Sequence, residues 1–150
     1  ARQIKPDASI KVTCPPQTPA IHGDATLLEH VVFNLLDNSL KFSEANATVV
    51  VLVGVDANAI SIDIEDQGRG IPAESLVHVF EAFYRVSRGD SDVPGTGLGL
   101  AIAKRIIEGM NGKISIESPL RDGRGTRVTL VLPIPTHDPT ISLAVQGDAR

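Results

Sequence analysis

The strongest constraint on this chain is a change in the period of its apolar residues. Leu27, Leu28, Val31, Val32, Leu35 and Leu36 recur at helical spacing. A few residues later the pattern becomes that of strands. Val49-Val50-Val51-Leu52-Val53 is an almost unbroken β-branched run, and Ile60-Ser61-Ile62-Asp63-Ile64 alternates at a period of two. A helix with one apolar stripe and a hairpin with one apolar face can each be buried only against the other. The expected architecture is therefore a sheet with helices on one face.

Other segments extend that layout. Ser9 to Cys14 alternates and ends at Pro15-Pro16, as a short strand would. Asp24 is a good N-cap for a helix running to about Phe42, and Ser43 to Ala47 is a turn. Ala57-Asn58 closes the hairpin. Pro72 suits a helix start, with Ala73 to Val79 as a short helix. Leu98 to Gly109 forms a second amphipathic helix. Lys113 to Ser118 and Thr126 to Leu132 are two further strands, joined through Arg121-Asp122-Gly123-Arg124-Gly125. Arg85 to Gly95 is polar and glycine-bearing, and reads as a mobile loop. Beyond Pro133 the chain is polar and punctuated by proline, so residues 134–150 read as a flexible tail.

Composition narrows the function. The 150 residues suit one domain, and 42% are hydrophobic, enough to build a core without staples. With 14 basic against 18 acidic side chains, the net charge of −4 argues against a phosphate-neutralising nucleic-acid binder. No apolar run approaches the ~20 residues of a membrane helix. Cys14 is the sole cysteine, which excludes an internal disulfide or a cysteine zinc cluster and fits a reducing cytosol. The chain starts at Ala1, and Met110 is its one methionine, so it is expected to be a piece of a longer protein.

Four clusters could carry chemistry. Asn34, Asn38 and Lys41 fall in one narrow stripe of the first helix, beside its apolar stripe. Two amide oxygens can help complete the oxygen shell of Mg²⁺, and the ammonium can neutralise phosphate; the bland alternative is a solvated helix face. Asp66-Gln67-Gly68-Arg69-Gly70 places a carboxylate acceptor beside glycines that let a flat ring approach the backbone, or is an ordinary Asp-Gly loop. Gly95-Thr96-Gly97-Leu98-Gly99-Leu100 opens the second long helix, where unpaired N–H groups favour an anion; the alternative is a hinge. It is neither a Walker A loop nor a dinucleotide fingerprint. Phe80-Glu81-Ala82-Phe83-Tyr84-Arg85 holds three of five aromatic side chains (four Phe, one Tyr, no Trp), an apolar anchor with one arginine able to reach a phosphate. His22, His30, His78 and His137 show no paired ligand spacing.

In this order the clusters resemble the catalytic ATP-binding domain of bacterial sensor histidine kinases, part of a wider group with gyrase and MutL-type ATPases. The stretch from Asn34 to Phe42 looks like the family's N box, Asp66 to Gly70 its G1 box, Phe80 to Arg85 its F box and Gly95 to Ile102 its G2 box, with Gly125-Thr126 as the closing glycine-threonine. Residues 24–133 carry the motifs, and 1–133 would be the domain. The resemblance implies a Bergerat-type α/β sandwich: a mixed, mostly antiparallel sheet, three main helices on one face and a mobile lid over ATP. Asn38 would be the main Mg²⁺ ligand, with Asn34 near the metal and phosphates. Lys41 and Arg85 would contact phosphates. Asp66 would accept from the adenine amine, supported by Thr126. Gly68, Gly70 and Ile71 would border the base, and Phe42 would stack near it. Gly95, Thr96, Gly97, Leu98, Gly99 and Leu100 would form the lid hinge and phosphate-binding turn.

Two departures are visible. Ser39 stands where alanine is usual, and Phe42 where tyrosine is common. Hydrolytic members carry a glutamate base at the position of Asn34, and an amide cannot take that proton, so hydrolysis should be slow. The γ-phosphoryl would pass to a histidine on a dimerisation domain of the same protein, then to a response regulator. The resemblance implies a cytoplasmic domain of an inner-membrane kinase, monomeric by itself and without nucleic-acid or direct membrane contact. Arg88-Gly89-Asp90 resembles the potassium-responsive osmosensing kinases. The alternatives are a non-catalytic nucleotide-binding regulatory module, which would bind ATP without transferring its phosphoryl group, and an anti-sigma-type serine kinase, which an upstream helical histidine region would exclude.

Overall fold

The computed structural model describes residues 7–86 and 97–135. Strand β1 (Ser9–Thr13) leads to helix α1 (Ala25–Phe42), then β2 (Thr48–Val55) and β3 (Ala59–Asp66). A short helix α2 (Ala73–Leu76) and helix α3 (Gly99–Gly109) precede β4 (Lys113–Glu117) and β5 (Thr126–Pro133).

The five strands form one mixed sheet in the order β1-β2-β3-β5-β4. β1 runs parallel to β2, and α1 makes the crossover between them, as a parallel pair requires. The remaining pairs are antiparallel. The registry Ile64↔Val128 and Val51↔Ile64 sets apolar residues of neighbouring strands on one face. Val49, Val51, Ile64, Val128, Leu130 and Leu132 there pack against Val31 and Leu35 of α1 and Ala103 and Ile107 of α3. The opposite face carries most of the polar strand residues, beside Val50, Leu52 and Val131. Arg127 lies between Glu65 and Glu117, with guanidinium nitrogens 3.0 Å from each carboxylate, and the Thr129 hydroxyl donates to Asp63 at 2.6 Å.

The element boundaries agree with the apolar pattern for α1, α3 and the hairpin. Asp24 caps α1, its Oδ1 accepting from the N–H groups of Thr26 (2.9 Å) and Leu27 (3.2 Å). Two expectations need correction. Among the described residues the three expected helices are present, but α2 is a single turn of four residues that starts at Ala73 after Pro72 and stops at Leu76. The expected continuation to Val79 fails because the chain leaves α2 through tight turns toward the aromatic segment (His78 N–H to Ser75 O, 2.9 Å; Glu81 N–H to His78 O, 2.9 Å). In addition β3 continues to Asp66, so this carboxylate stands in the sheet, opposite Thr126. The expected lid and most of the tail lie outside the described residues, as do Gly95, Thr96, His137 and Arg88-Gly89-Asp90.

Candidate nucleotide site

A cavity of about 330 Å³ opens between α1, the end of β3, the loop after it and the start of α3. Helix α1 supplies Asn34, Asp37, Asn38, Ser39, Lys41 and Phe42, one side of the helix, while Val31 and Leu35 enter the core. Leu35, Val79, Leu100, Ile116 and Val128 make the apolar wall. Of the residues singled out in the sequence, Asn34, Asn38, Lys41, Phe42, Asp66, Gly68, Gly70, Ile71, Arg85, Gly97, Gly99, Leu100 and Thr126 all line this space. Leu98, the N-cap of α3, does not.

Asp66 forms the buried end, 7% exposed. Burial pushes its carboxyl pKa up, because the charged form loses water. Hydrogen bonds oppose that shift: the Gly68 N–H donates to Oδ1 at 2.9 Å, and the Ser39 hydroxyl and the Thr126 N–H also donate to the carboxylate. Ser39 is itself buried. It sits five residues after Asn34, which sets the amide about 7.5 Å further along the helix axis from the Asp66 end. The cavity therefore has an acceptor end at Asp66 and Ser39 and a polar end at the stripe of Asn34, Asn38 and Lys41 on another side of α1, with Asn34 the furthest of the three from Ser39 along the axis.

Backbone proximity explains the glycines. A Cβ on Gly68 would stand 2.6 Å from the Phe42 carbonyl oxygen, so only glycine lets the loop pass α1 this closely. Gly97 has φ +76°, and a Cβ there would meet the Phe83 backbone at 2.7 Å. Phe83 is itself left-handed at φ 67°, and its N–H donates to the Gly97 carbonyl at 2.9 Å. Phe83 in a costly left-handed conformation and Gly97, which takes positive φ freely, thus hold the aromatic segment against the start of α3.

Several residues in or behind the cavity wall carry no periodic signal in the sequence. Ser118 is buried at the end of β4, and its Oγ is 2.7 Å from both the Ile71 N and the Gly125 O, and 2.9 Å from the Thr126 Oγ1. This hub joins three distant segments, and no local spacing could have marked it. Ser39 did leave a trace: it extends the apolar stripe one step past Leu35, and a hydroxyl at a core position needs a partner. Lys41 is held by Asp37 at 2.8 Å, one helical turn back, and both side chains line the cavity. The Tyr84 hydroxyl donates to Ser75 at 3.1 Å, fixing the wall near Arg85.

Among the described residues no group of three His, Cys, Asp or Glu side chains could hold a metal. The oxygens at the polar end are those of the two amides and of the Asp37 carboxylate, which also holds Lys41. That donor set suits a hard cation that takes its remaining ligands from water and phosphate.

Residues 23–136 match the family model of histidine kinase-, DNA gyrase B- and HSP90-like ATPases. The chain belongs to that family of ATP-binding domains, and within it to the catalytic domains of sensor histidine kinases. It is 37% identical over 129 residues to the sensor histidine kinase RcsC of Salmonella typhimurium, covering 85% of this chain and 13% of that protein. It is 37% identical over 122 residues to the sensor histidine kinase Hik2 of Thermosynechococcus vestitus, covering 81% of this chain and 32% of that protein. The chain thus spans between about an eighth and a third of these relatives. Among solved structures it resembles the mycobacterial sensor histidine kinase MprB, with a TM-score of 0.77, 34% identity and 88% of each chain covered. The catalytic domain of the histidine kinase ThkA shares the fold, with a TM-score of 0.70. Among the described residues no helix is long and apolar enough to cross a membrane.

Proposed function

We propose that this chain is the unit that binds Mg²⁺-ATP and donates its γ-phosphoryl group to a histidine of a dimerisation domain in the same protein, for relay to a response regulator. The observation that carries the reading is one cavity that joins the buried Asp66 carboxylate to the stripe of Asn34, Asn38 and Lys41 on α1. Asp66 accepts from an adenine amine. Gly68 and Gly70 leave room for the ring, and Phe42, 46% exposed, covers its open side. Asn38, with Asn34 beside it, would hold Mg²⁺ through amide oxygens. When bound, Mg²⁺ supplies charge neutralisation between the phosphates. Lys41 keeps one N–H on Asp37 and has two left for phosphate oxygens. Arg85 adds a planar donor group at the rim.

Asn34 decides the acceptor. An amide does not take a proton from water, so the chain has no general base at this position and ATP is held for a positioned nucleophile. This domain would work on the cytoplasmic side of an inner-membrane parent protein, where ATP and response regulators are found. The test is incubation of the chain with γ-labelled ATP, Mg²⁺ and the helical dimerisation domain of its parent protein. Acid-labile, base-stable label should appear on that domain, with little free phosphate in its absence. Bound ATP without any transferred label would exclude the histidine kinase reading and leave a regulatory nucleotide module.

A further inference from the structure

The hydrogens around Ser118 can be counted. A backbone N–H only donates and a carbonyl only accepts. Ser118 Oγ lies 2.7 Å from the Ile71 N–H and 2.7 Å from the Gly125 carbonyl oxygen. Its single proton goes to Gly125, and one lone pair takes the Ile71 N–H. The Thr126 Oγ1 at 2.9 Å must then give its own proton to the other lone pair. With its proton committed, the Thr126 oxygen has only lone pairs left for the cavity that it lines. The neighbouring Ser39 hydroxyl is committed in the same sense, because its proton goes to the Asp66 carboxylate. Every oxygen at this end of the cavity is an acceptor.

We propose that Ser118, which does not line the cavity, is a positioning residue for base selection: it locks the Thr126 hydroxyl as an acceptor, so that a purine with an amine at position 6 is bound and one with a carbonyl there is rejected. The proposal rests on the cavity being an ATP site read at its base by Asp66. A 6-amino group has two hydrogens to give to an acceptor end. A 6-carbonyl brings its lone pairs against those of Asp66, Ser39 and Thr126, and a buried acceptor facing acceptors is left unpaired. Without Ser118 the Thr126 hydroxyl is free to turn and donate to such a carbonyl.

The experiment is calorimetric titration of the 150-residue chain with Mg²⁺-ATP and Mg²⁺-inosine triphosphate, which carries a carbonyl at position 6 and no 2-amine. Wild type should favour ATP. Thr126→Val and Ser118→Ala should each lower that preference by about tenfold, the scale of one hydrogen bond. The double variant should lower it no further than either single change, because both act through one hydroxyl. An unchanged preference in Thr126→Val, or additive losses in the double variant, would overturn the role of Ser118. Should Ser118→Ala lose its cooperative thermal transition, Thr126→Val decides alone, since it leaves the bonds of Ser118 to Ile71 and Gly125 intact. Asp66→Asn separates the levels. If it relaxes the preference while Thr126→Val does not, only the Ser118 proposal fails; if it leaves the preference unchanged, the reading of the base end fails and takes the proposal with it.

Discussion

Asp66 holds a charge where burial opposes one, and this gives nucleotide binding a pH dependence. Its carboxyl pKa is raised by desolvation, partly offset by donors from Gly68, Ser39 and Thr126. Protonation turns an acceptor into a donor facing the donating amine of adenine. ATP affinity should therefore fall as pH is lowered through that raised pKa, beginning above the ordinary carboxylate range, and Asp66→Asn should show a flat profile there. Stability without ligand should move the other way. The folded state holds this proton more tightly than the unfolded chain, so unfolding releases it, and stability declines as pH rises from the ordinary carboxylate pKa through the raised one. Urea denaturation across that window checks the sign. At the polar end, Asn38→Ala should lose at least tenfold in Mg²⁺-dependent ATP affinity and abolish phosphotransfer. Asn38 is half-buried, so the urea midpoint should hardly move. Unaltered transfer would remove Asn38 from the metal.

At the scale of elements, α1 does two things with one periodicity. Val31 and Leu35 enter the core while Asn34, Asn38 and Lys41 border the cavity. Its end at Asp24 is held by two hydrogen bonds to exposed groups, and Asp24→Ala should cost about 1 kcal/mol. Chemical denaturation should show that loss, with saturating ATP affinity unchanged, because the cap is more than two turns from Asn34. This helix was legible in the sequence because cap, stripe and polar flank all repeat locally. The same local reading overextended α2, where Pro72 is compatible with a helix but the packing of the aromatic segment ends it after one turn. It also left Leu27 in the apolar stripe, although that side chain is 44% exposed. Ser118 was illegible for a related reason: its partners Ile71, Gly125 and Thr126 come together only when β4 and β5 pair.

At the scale of the molecule, strand order is the least local property and the one that assembles the site. β5 inserts between β3 and β4, which sets Thr126 opposite Asp66 and lets the Gly125 N–H bond the Gly68 carbonyl at 2.7 Å. Alternation told which strands have an apolar face but not which are neighbours, so the pairing of Asp66 with Thr126 depends on chain segments 60 residues apart. The core and the cavity share this sheet yet use different residues of it. Leu130 lies at the centre of β5, fully buried, and does not line the cavity. Leu130→Ala should therefore lower stability by about 2–5 kcal/mol through a lost contact surface and a residual cavity. Binding adds stability by mass action, about 2.7 kcal/mol when ATP is at a hundredfold excess over Kd. If core and site are separable, that increment should be the same in wild type and Leu130→Ala, while Asn38→Ala keeps the unliganded midpoint and loses most of the increment. Urea titrations of the three proteins with and without Mg²⁺-ATP measure both quantities. An increment that shrinks with Leu130→Ala would show that the cavity is shaped by the packing beneath it rather than by α1, Asp66 and Thr126 alone.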